Sequence, residues 1–295
     1  ALQVPPAGYD IVGENLIAAI KDVVGLDDSS PIIQTWKNAY REIAQVFIDV
    51  EQEIYSHMLW EGFQPFKIVK IEELSSDIKA FTVESSQYDL SRFEPGEYIT
   101  VDVSSDKMPY RAKRHYSIVA GTPQHLTFAV KRDVSTHHEG EVSTILHDEL
   151  HEGDDINLSA PVGPFKVDNN RDKHLFLGAG IGVTPLVPMF KQVIDNDKQS
   201  HFIQVTADTD DTPFVNILSQ YSDNATDASY ELYDRSVQGY LKQADLVQHI
   251  DEQTAVYVCG GTKFLQSMIS MLREMGVNES QIHFETFVPK LSVEV

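Results

Sequence analysis

Gly178-Ala179-Gly180-Ile181-Gly182-Val183-Thr184-Pro185 directly follows the apolar run His174–Leu177 and opens a helical stripe lasting to Ile194. In a strand–loop–helix of this kind, glycines let the backbone approach a phosphate. The helix N-terminus adds free N–H groups and the positive end of a dipole. Pro185 falls in the first helical turn, where its missing N–H is not needed. The spacing is not the strict G-x-G-x-x-G, and a turn with a purely structural role is the alternative reading. Beyond the loop, strands alternate with helices: Phe202–Val205, a helix near Phe214–Tyr221, Tyr230–Tyr233, Ala255–Val258, a helix over Lys263–Met275, and a last strand at Ile282–Phe284. Such alternation predicts a parallel sheet covered by helices on both faces.

Upstream, the polar stretch Asn169–Lys173 shows no periodicity and marks a domain boundary. Before it lie six short alternating segments, Phe66–Ile71, Ile78–Val83, Tyr98–Val103, His115–Val119, Leu126–Val130 and Asp155–Leu158. Glu94-Pro95-Gly96 and Gly121-Thr122-Pro123 punctuate them, and together they predict a small antiparallel barrel interrupted by one helix near Val142–Leu150. The first sixty residues read as two amphipathic helices. One carries Val12, Leu16, Ile17, Ile20, Val23 and Val24 and stops at Gly25; the other starts at Ser30-Pro31 and runs its stripe through Ile33, Trp36, Tyr40 and Phe47 to Ile54. Alone, such helices make a poor domain and need a partner surface. The predicted fold class is therefore mixed: an N-terminal helical segment over 1–60, an antiparallel six-stranded β-barrel over 61–170, and an α/β parallel-sheet domain over 171–295.

The 295 residues hold 45 acidic and 23 basic side chains, a formal net charge of -22. A surface this acidic repels nucleic acid and anionic membranes, and no apolar run nears the roughly 18 residues a membrane span needs. Ala1–Asp10 lacks a signal-peptide pattern and an initiator Met, so the chain is expected to be cytoplasmic and to begin inside a longer protein. The single cysteine, Cys259, excludes an intrachain disulfide and a thiol-rich metal site and fits a reducing compartment. Against the acidity, two cationic groups stand out: Arg111, Lys113 and Arg114, and nearby Lys131 with Arg132. Either they hold an anionic ligand or they make surface ion pairs.

Three motifs carry chemistry beyond the glycine loop. In Arg114-His115-Tyr116-Ser117 the arginine can grip a phosphate with two parallel hydrogen bonds. Tyr116, two positions on, shares its strand face and can stack on a flat ring, and the Ser117 hydroxyl can reach a ring edge. Gly140-Glu141-Val142-Ser143 opens the interrupting helix, a second seat for a pyrophosphate. Cys259-Gly260-Gly261 ends a strand of the parallel sheet, where ligands gather, and leaves room for a nicotinamide. A half-buried strand aromatic is the bland reading of Tyr116, and a buried structural cysteine that of Cys259.

In this order the motifs resemble the ferredoxin-reductase superfamily, over about Gly62 to Val295. Tyr9-Asp10-Ile11-Val12-Gly13-Glu14-Asn15-Leu16, Ala39-Tyr40, Val46-Phe47-Ile48 and Glu51-Gln52-Glu53-Ile54-Tyr55 are similar to the last two globin helices of bacterial flavohemoglobins. The ending Ile282-His283-Phe284-Glu285-Thr286-Phe287-Val288-Pro289 resembles that family too. The resemblance implies that FAD is held by Tyr98, by Arg114, His115, Tyr116 and Ser117, by Gly140, Val142 and Ser143, and by Thr286, Phe287, Val288 and Pro289. It places the nicotinamide nucleotide on Gly180, Ile181, Gly182, Val183, Thr184 and Pro185, with Cys259 and Gly260. It makes Glu285 an acid that tunes the heme and flavin potentials, and Tyr9 and Glu51 a pair that hydrogen-bonds the proximal heme histidine. Read without the family, Tyr9 is a helix-entry aromatic and Glu51 one acid on a charged face. The ligand of heme b should lie just upstream of Ala1, since none of the eleven histidines sits where an axial ligand is needed. The implied activity of the intact protein is transfer of electrons from NAD(P)H through FAD to heme, which converts nitric oxide and dioxygen to nitrate; for this chain by itself, reductase activity only is expected. A stand-alone flavin reductase serving a separate acceptor, or a non-catalytic interaction module, are the alternatives. NADH is expected over NADPH, because Thr206-Ala207-Asp208-Thr209-Asp210-Asp211 sets carboxylates near the adenosine ribose with no cation close in sequence.

Overall fold

Apolar residues at helical spacing put two helices at the front of the chain, α1 (Pro6–Val24) and α2 (Pro31–Ser56). In this computed structural model, which describes residues 6–106, 109–133 and 141–287, they belong to a unit Ala1–Gly62 separate from Phe63–Val295. Helix α1 stops where Gly25 turns to φ +67 and its N–H closes onto Lys21 O at 2.9 Å. Ser30 holds the N-cap position of α2 and Pro31 follows it, yet the Ser30 hydroxyl makes no cap hydrogen bond. The turn is fixed by Asp27, which accepts from the Ser29 N–H (2.9 Å) and hydroxyl (2.5 Å). Lys21 and Lys37, each 2.7 Å from Asp28, tie the two helices together. They pack closely at Gly13, where a Cβ would lie 2.4 Å from the Tyr40 ring. Ile17, Ile33 and Ala44 are buried, but Val12, Leu16, Val23, Trp36, Ile43, Phe47 and Val50 are exposed, so most of both stripes lies open.

The second unit begins with alternation at period two, and it closes into a barrel. The strands are β1 (Gln64–Ser75), β2 (Ile78–Glu84), β3 (Tyr98–Val103), β4 (Ala112–Gly121), β5 (His125–Lys131) and β6 (Asp155–Leu158). They pair antiparallel in the order β1-β2-β5-β4-β3-β6, with β6 closing onto β1 so that no edge is left. Strand β1 is longer than its alternating stretch suggests because two register shifts against β2 absorb the breaks in pattern. Phe81 and Phe128, directly opposed, stack at 5.6 Å in an interior that also buries Ile68, Val83, Ile99, Val101 and Ile118. Helix α3 (Glu141–Asp148) interrupts the barrel strands.

The remaining strands, β7 (Lys173–Ala179), β8 (Gln199–Thr206), β9 (Ala228–Asp234), β10 (Thr254–Cys259) and β11 (Ile282–Glu285), form a parallel sheet in the order β11-β10-β7-β8-β9. Helices α4 (Val183–Asp195), α5 (Val215–Asp223), α6 (Arg235–Gln238), α7 (Gln243–Leu246) and α8 (Thr262–Glu274) connect them. At four residues each, α6 and α7 are too short to show a helical period, and the sequence gives no sign of them. One sheet face buries Leu175, Leu177, Ile203, Val256 and Val258 against Leu265, Ile269 and Leu272 of α8. The other buries Phe176, Phe202 and Tyr257 against Leu186, Val187 and Phe190 of α4, and this core continues into the barrel through Ile78, Val119 and Ala129 and the connecting Phe165 and Val167. Barrel and sheet thus share one hydrophobic core. Across that face, rings stand in register on all five strands, Tyr230, Phe202, Phe176, Tyr257 and His283, with centroids 4.9 to 6.1 Å apart. The strand order reverses between β7 and β10, and in open α/β sheets the crevice at such a switch point is where ligands sit.

Candidate functional site

The structure sorts the two cationic clusters. Arg111 Nε lies 3.0 and 3.1 Å from the two carboxylate oxygens of the nearly buried Asp102, Lys131 lies 3.1 Å from Asp77, and Arg132 pairs with Asp148. Lys113 sits over the Phe63 ring at 4.3 Å. Arg114 is exposed, its Nη1 donates to Lys113 O at 2.8 Å, and among the described residues it pairs with no carboxylate. Surface ion pairing therefore explains most of the cluster, and Arg114, without a carboxylate partner among the described residues, is open to an anion.

Register then decides what surrounds it. Strands β3 and β4 set Tyr98 opposite Ser117 and Thr100 opposite His115. The Tyr98 and His115 rings meet at 4.6 Å, and His115 Nδ1 lies 2.9 Å from Thr100 Oγ1. His115 is exposed at its edge, but partial desolvation lowers its pKa to about 4. Tyr116 lies on the other side of the ladder, 5.9 Å from the Phe128 ring, and burial pushes its phenol up. Tyr98, His115 and Ser117 are thus brought together, while Tyr116 belongs in part to the barrel interior, as its bland reading had it. Val142 and Ser143, in the first turn of α3, are buried, and Ser143 Oγ accepts from Asp133 N at 3.1 Å. Gly140, Val288 and Pro289 lie outside the described residues. Thr286 is buried, and Phe287 is half exposed.

At the switch point, Gly178, Cys259 and Glu285 stand in one row across β7, β10 and β11. Gly182 lies hard against that row: a Cβ there would come 2.4 Å from Cys259 O, which demands glycine. Cys259 is fully buried; its burial and the charge of Glu285 push the thiol well up, so it stays protonated and fills space. Burial also raises the Tyr98 phenol, and the charge of Glu285 adds to the shift.

Beside the row opens a cleft of about 490 Å³, lined by Ala179, Gly180, Val205, Thr206, Ala207, Arg235, Gly261, Thr262, Lys263 and Phe264. An added Cβ at Gly180 or Gly261 would meet nothing within 4 Å, which leaves their backbones bare toward a ligand. Arg235 and Lys263 were missed by the sequence reading because only strand order brings them to Thr206. Asp211, one of the carboxylates behind the expectation of NADH, bonds instead to Ser76, its Oδ1 accepting from Ser76 N at 2.6 Å. The expectation of NADH rests on there being no cation close in sequence; the fold brings Arg235 and Lys263, distant in sequence, to the cleft.

In the first unit, Tyr9 and Glu51 do meet. Burial raises the Tyr9 phenol, and the Glu51 carboxylate facing it adds to the shift. Tyr40 donates to Tyr9 O at 2.5 Å and fixes this turn of α1. No metal-binding group of three His, Cys, Asp or Glu side chains and no helix long and apolar enough to cross a membrane occurs among the described residues.

Comparison with known proteins matches residues 65–167 to the oxidoreductase FAD-binding domain family. The flavohemoprotein of Bacillus subtilis (strain 168) is 31% identical over 322 residues, spanning 99% of this chain and 77% of that protein. Among solved structures, a flavohemoglobin from Malassezia yamatoensis with bound FAD and heme superposes with a TM-score of 0.84 at 21% identity, covering 97% of this chain and 76% of that one. The FAD/NAD-binding domain of a nitric oxide dioxygenase from Vibrio cholerae gives 0.63 at 23% identity, covering 78% of this chain and all of that one. At these identities the two structures speak for the fold.

Proposed function

We infer that this chain, which belongs to the flavohemoprotein family, takes electrons from NADH or NADPH through FAD and passes them to a heme that converts nitric oxide and dioxygen to nitrate. The observation that carries this reading is the row Gly178, Cys259 and Glu285 at the switch point of the sheet, beside an open cleft with bare glycine backbone, in a chain whose barrel matches a FAD-binding domain family. The residues fit both groups: Arg114 meets no carboxylate among the described residues and can take a flavin phosphate, and Gly180 to Pro185 open α4 beside the cleft. FAD, when bound, links a two-electron hydride donor to a one-electron acceptor. Around it, Arg114 holds charge, Tyr98, His115 and Ser117 orient the ring system, and neutral His115 adds no competing cation. Buried Cys259 and its glycines keep the nicotinamide position narrow and dry. Tyr9 and Glu51 are proposed to hydrogen-bond the proximal histidine of the heme, raising its basicity. The three domains 1–60, 61–170 and 171–295 then correspond to globin helices, a FAD-binding barrel and an NAD(P)-binding sheet.

Anaerobic addition of NADH should bleach the flavin absorption of the purified protein, and a flavin that stays oxidised at saturating NADH and NADPH sinks the reading. A stand-alone flavin reductase, which the open face of α1 and α2 would suit as a docking surface, is the alternative, and a heme band at stoichiometry in the full-length protein excludes it.

Arg235 and Lys263 line the cleft, and the carboxylates of 208–211 follow Thr206 in sequence, so the proposed preference for NADH over NADPH should be shallow. Arg235→Ala is expected to lower kcat/KM for NADPH by roughly 10- to 100-fold, as loss of a charge-assisted contact of about 1.5–3 kcal/mol, and to leave NADH nearly unchanged. Equal losses for both would place Arg235 away from the 2′-phosphate.

A further inference from the structure

The sheet's nucleotide cleft is tied to the barrel at one point by a side chain. Asp211 follows β8, and Ser76 sits in the turn between β1 and β2. One carboxylate oxygen of Asp211 accepts from the Ser76 N–H at 2.6 Å and the other from the Ser76 hydroxyl, so a single residue is gripped at both donors.

Each end of this grip is stiff. Thr206 Oγ1 donates to Asp208 O at 2.9 Å, Thr212 Oγ1 lies 2.8 Å from Thr206 Oγ1, and Gln204 Nε2 donates to Pro213 O at 2.9 Å. Phe214 closes the loop at φ +65, a backbone region costly for a bulky residue, and packs into the shared core. On the barrel side, Ile78 is buried in that same core, Arg132 N donates to Asp77 O at 2.7 Å, and Lys131 lies 3.1 Å from Asp77. Thr206 and Ala207, at the near end of the loop, line the cleft.

We propose that Asp211 is a positioning residue: its grip on Ser76 fixes the wall of the nucleotide cleft to the flavin barrel and so sets the approach of nicotinamide to flavin. This rests on the reading of the cleft as the nucleotide site. The shared core resists separation of barrel and sheet, but apolar packing is not directional and tolerates sliding. A carboxylate bound to two donors of one residue does not, because both bonds lengthen together on any shift. Misplacement of about 1 Å at a reacting pair can cost up to about 100-fold in rate, so a peripheral contact can matter to transfer without touching either ligand.

Asp211→Ala and Ser76→Ala should bind FAD as the parent does. In Asp211→Ala, the long-wavelength charge-transfer absorption formed when NAD+ is added to reduced flavin should fall, and flavin reduction by NADH should slow roughly 10-fold. Ser76→Ala, which keeps its N–H, should fall between. The double variant should be no worse than Asp211→Ala, since both break one contact. Amide hydrogen exchange at Ser76 and through 206–214 should quicken in Asp211→Ala with no nucleotide present. Parental charge-transfer absorption and reduction rate in Asp211→Ala would overturn the proposal. If the parent itself shows no reaction with either nucleotide, the reading of the cleft fails. Exchange then still judges the grip: unchanged protection in Asp211→Ala shows that it fixes nothing.

Discussion

Gly96→Ala protein is expected to lose about 2–6 kcal/mol of stability and to purify largely without flavin. Gly96 adopts φ +98, a conformation side chains rarely take, and an added Cβ would stand 1.8 Å from Phe165 O. Backbone strain of ~1–3 kcal/mol and overpacking of ~1–3 kcal/mol act together. Relief has two routes, and both reach the site. The turn can move, but Ile118 N is bonded to Glu97 O at 3.0 Å and Tyr98 N to Val162 O at 2.8 Å, so Tyr98 moves with it. Otherwise Phe165 moves, and with it the core that joins barrel to α4. Gly153 is the internal control: its φ is +97, but a Cβ there meets nothing within 4 Å. Gly153→Ala should therefore show strain alone, at ~1–3 kcal/mol, and keep flavin. Urea unfolding of the two variants measures the difference, and equal losses would mean that the contact with Phe165 is unimportant.

Arg114→Ala should weaken flavin binding by roughly 10- to 100-fold, the loss of one charge-assisted phosphate contact of about 1.5–3 kcal/mol, with the melting temperature of the flavin-free protein unchanged. Arg111→Ala should do the reverse. Arg111 neutralises Asp102, whose side chain is only 10% exposed, and removing it leaves a buried carboxylate without its partner. Flavin-free Arg111→Ala should melt lower, yet whatever folds should bind flavin as the parent does. Flavin retained through dialysis by Arg114→Ala as firmly as by the parent removes Arg114 from the site.

The contrast between these neighbours shows where sequence reading reaches its limit. Alternation in Ile78–Val83 and Leu126–Val130 sufficed to place barrel strands, because a half-buried strand writes its faces into its own residues. The glycine loop was equally legible, since Gly180 and Gly182 answer to local backbone demands. Which carboxylate meets which cation is not local. Arg111 and Arg114 look alike until the β3–β4 hairpin brings Asp102 to one of them. Arg235, Lys263 and Asp211 went unread or misread for the same reason: strand order and a contact between barrel and loop decide their surroundings. Ser30 shows the converse, a residue correctly placed at a helix start whose hydroxyl makes no cap bond.

The row of rings on the parallel sheet bears on how this domain can change over evolutionary time. Tyr230, Phe202, Phe176, Tyr257 and His283 stand side by side only because all five strands keep one register. A single-residue insertion or deletion inside any strand would turn its ring to the opposite face and bring a neighbour such as His201 or Ile203 toward the ring row. Strand length here is thus close to frozen, whereas the exposed stretch 237–240, past the cleft-lining Arg235, has no such ring row to satisfy. Descendants of this fold should vary in length at that stretch and at similar loops, and hardly at all within the five strands.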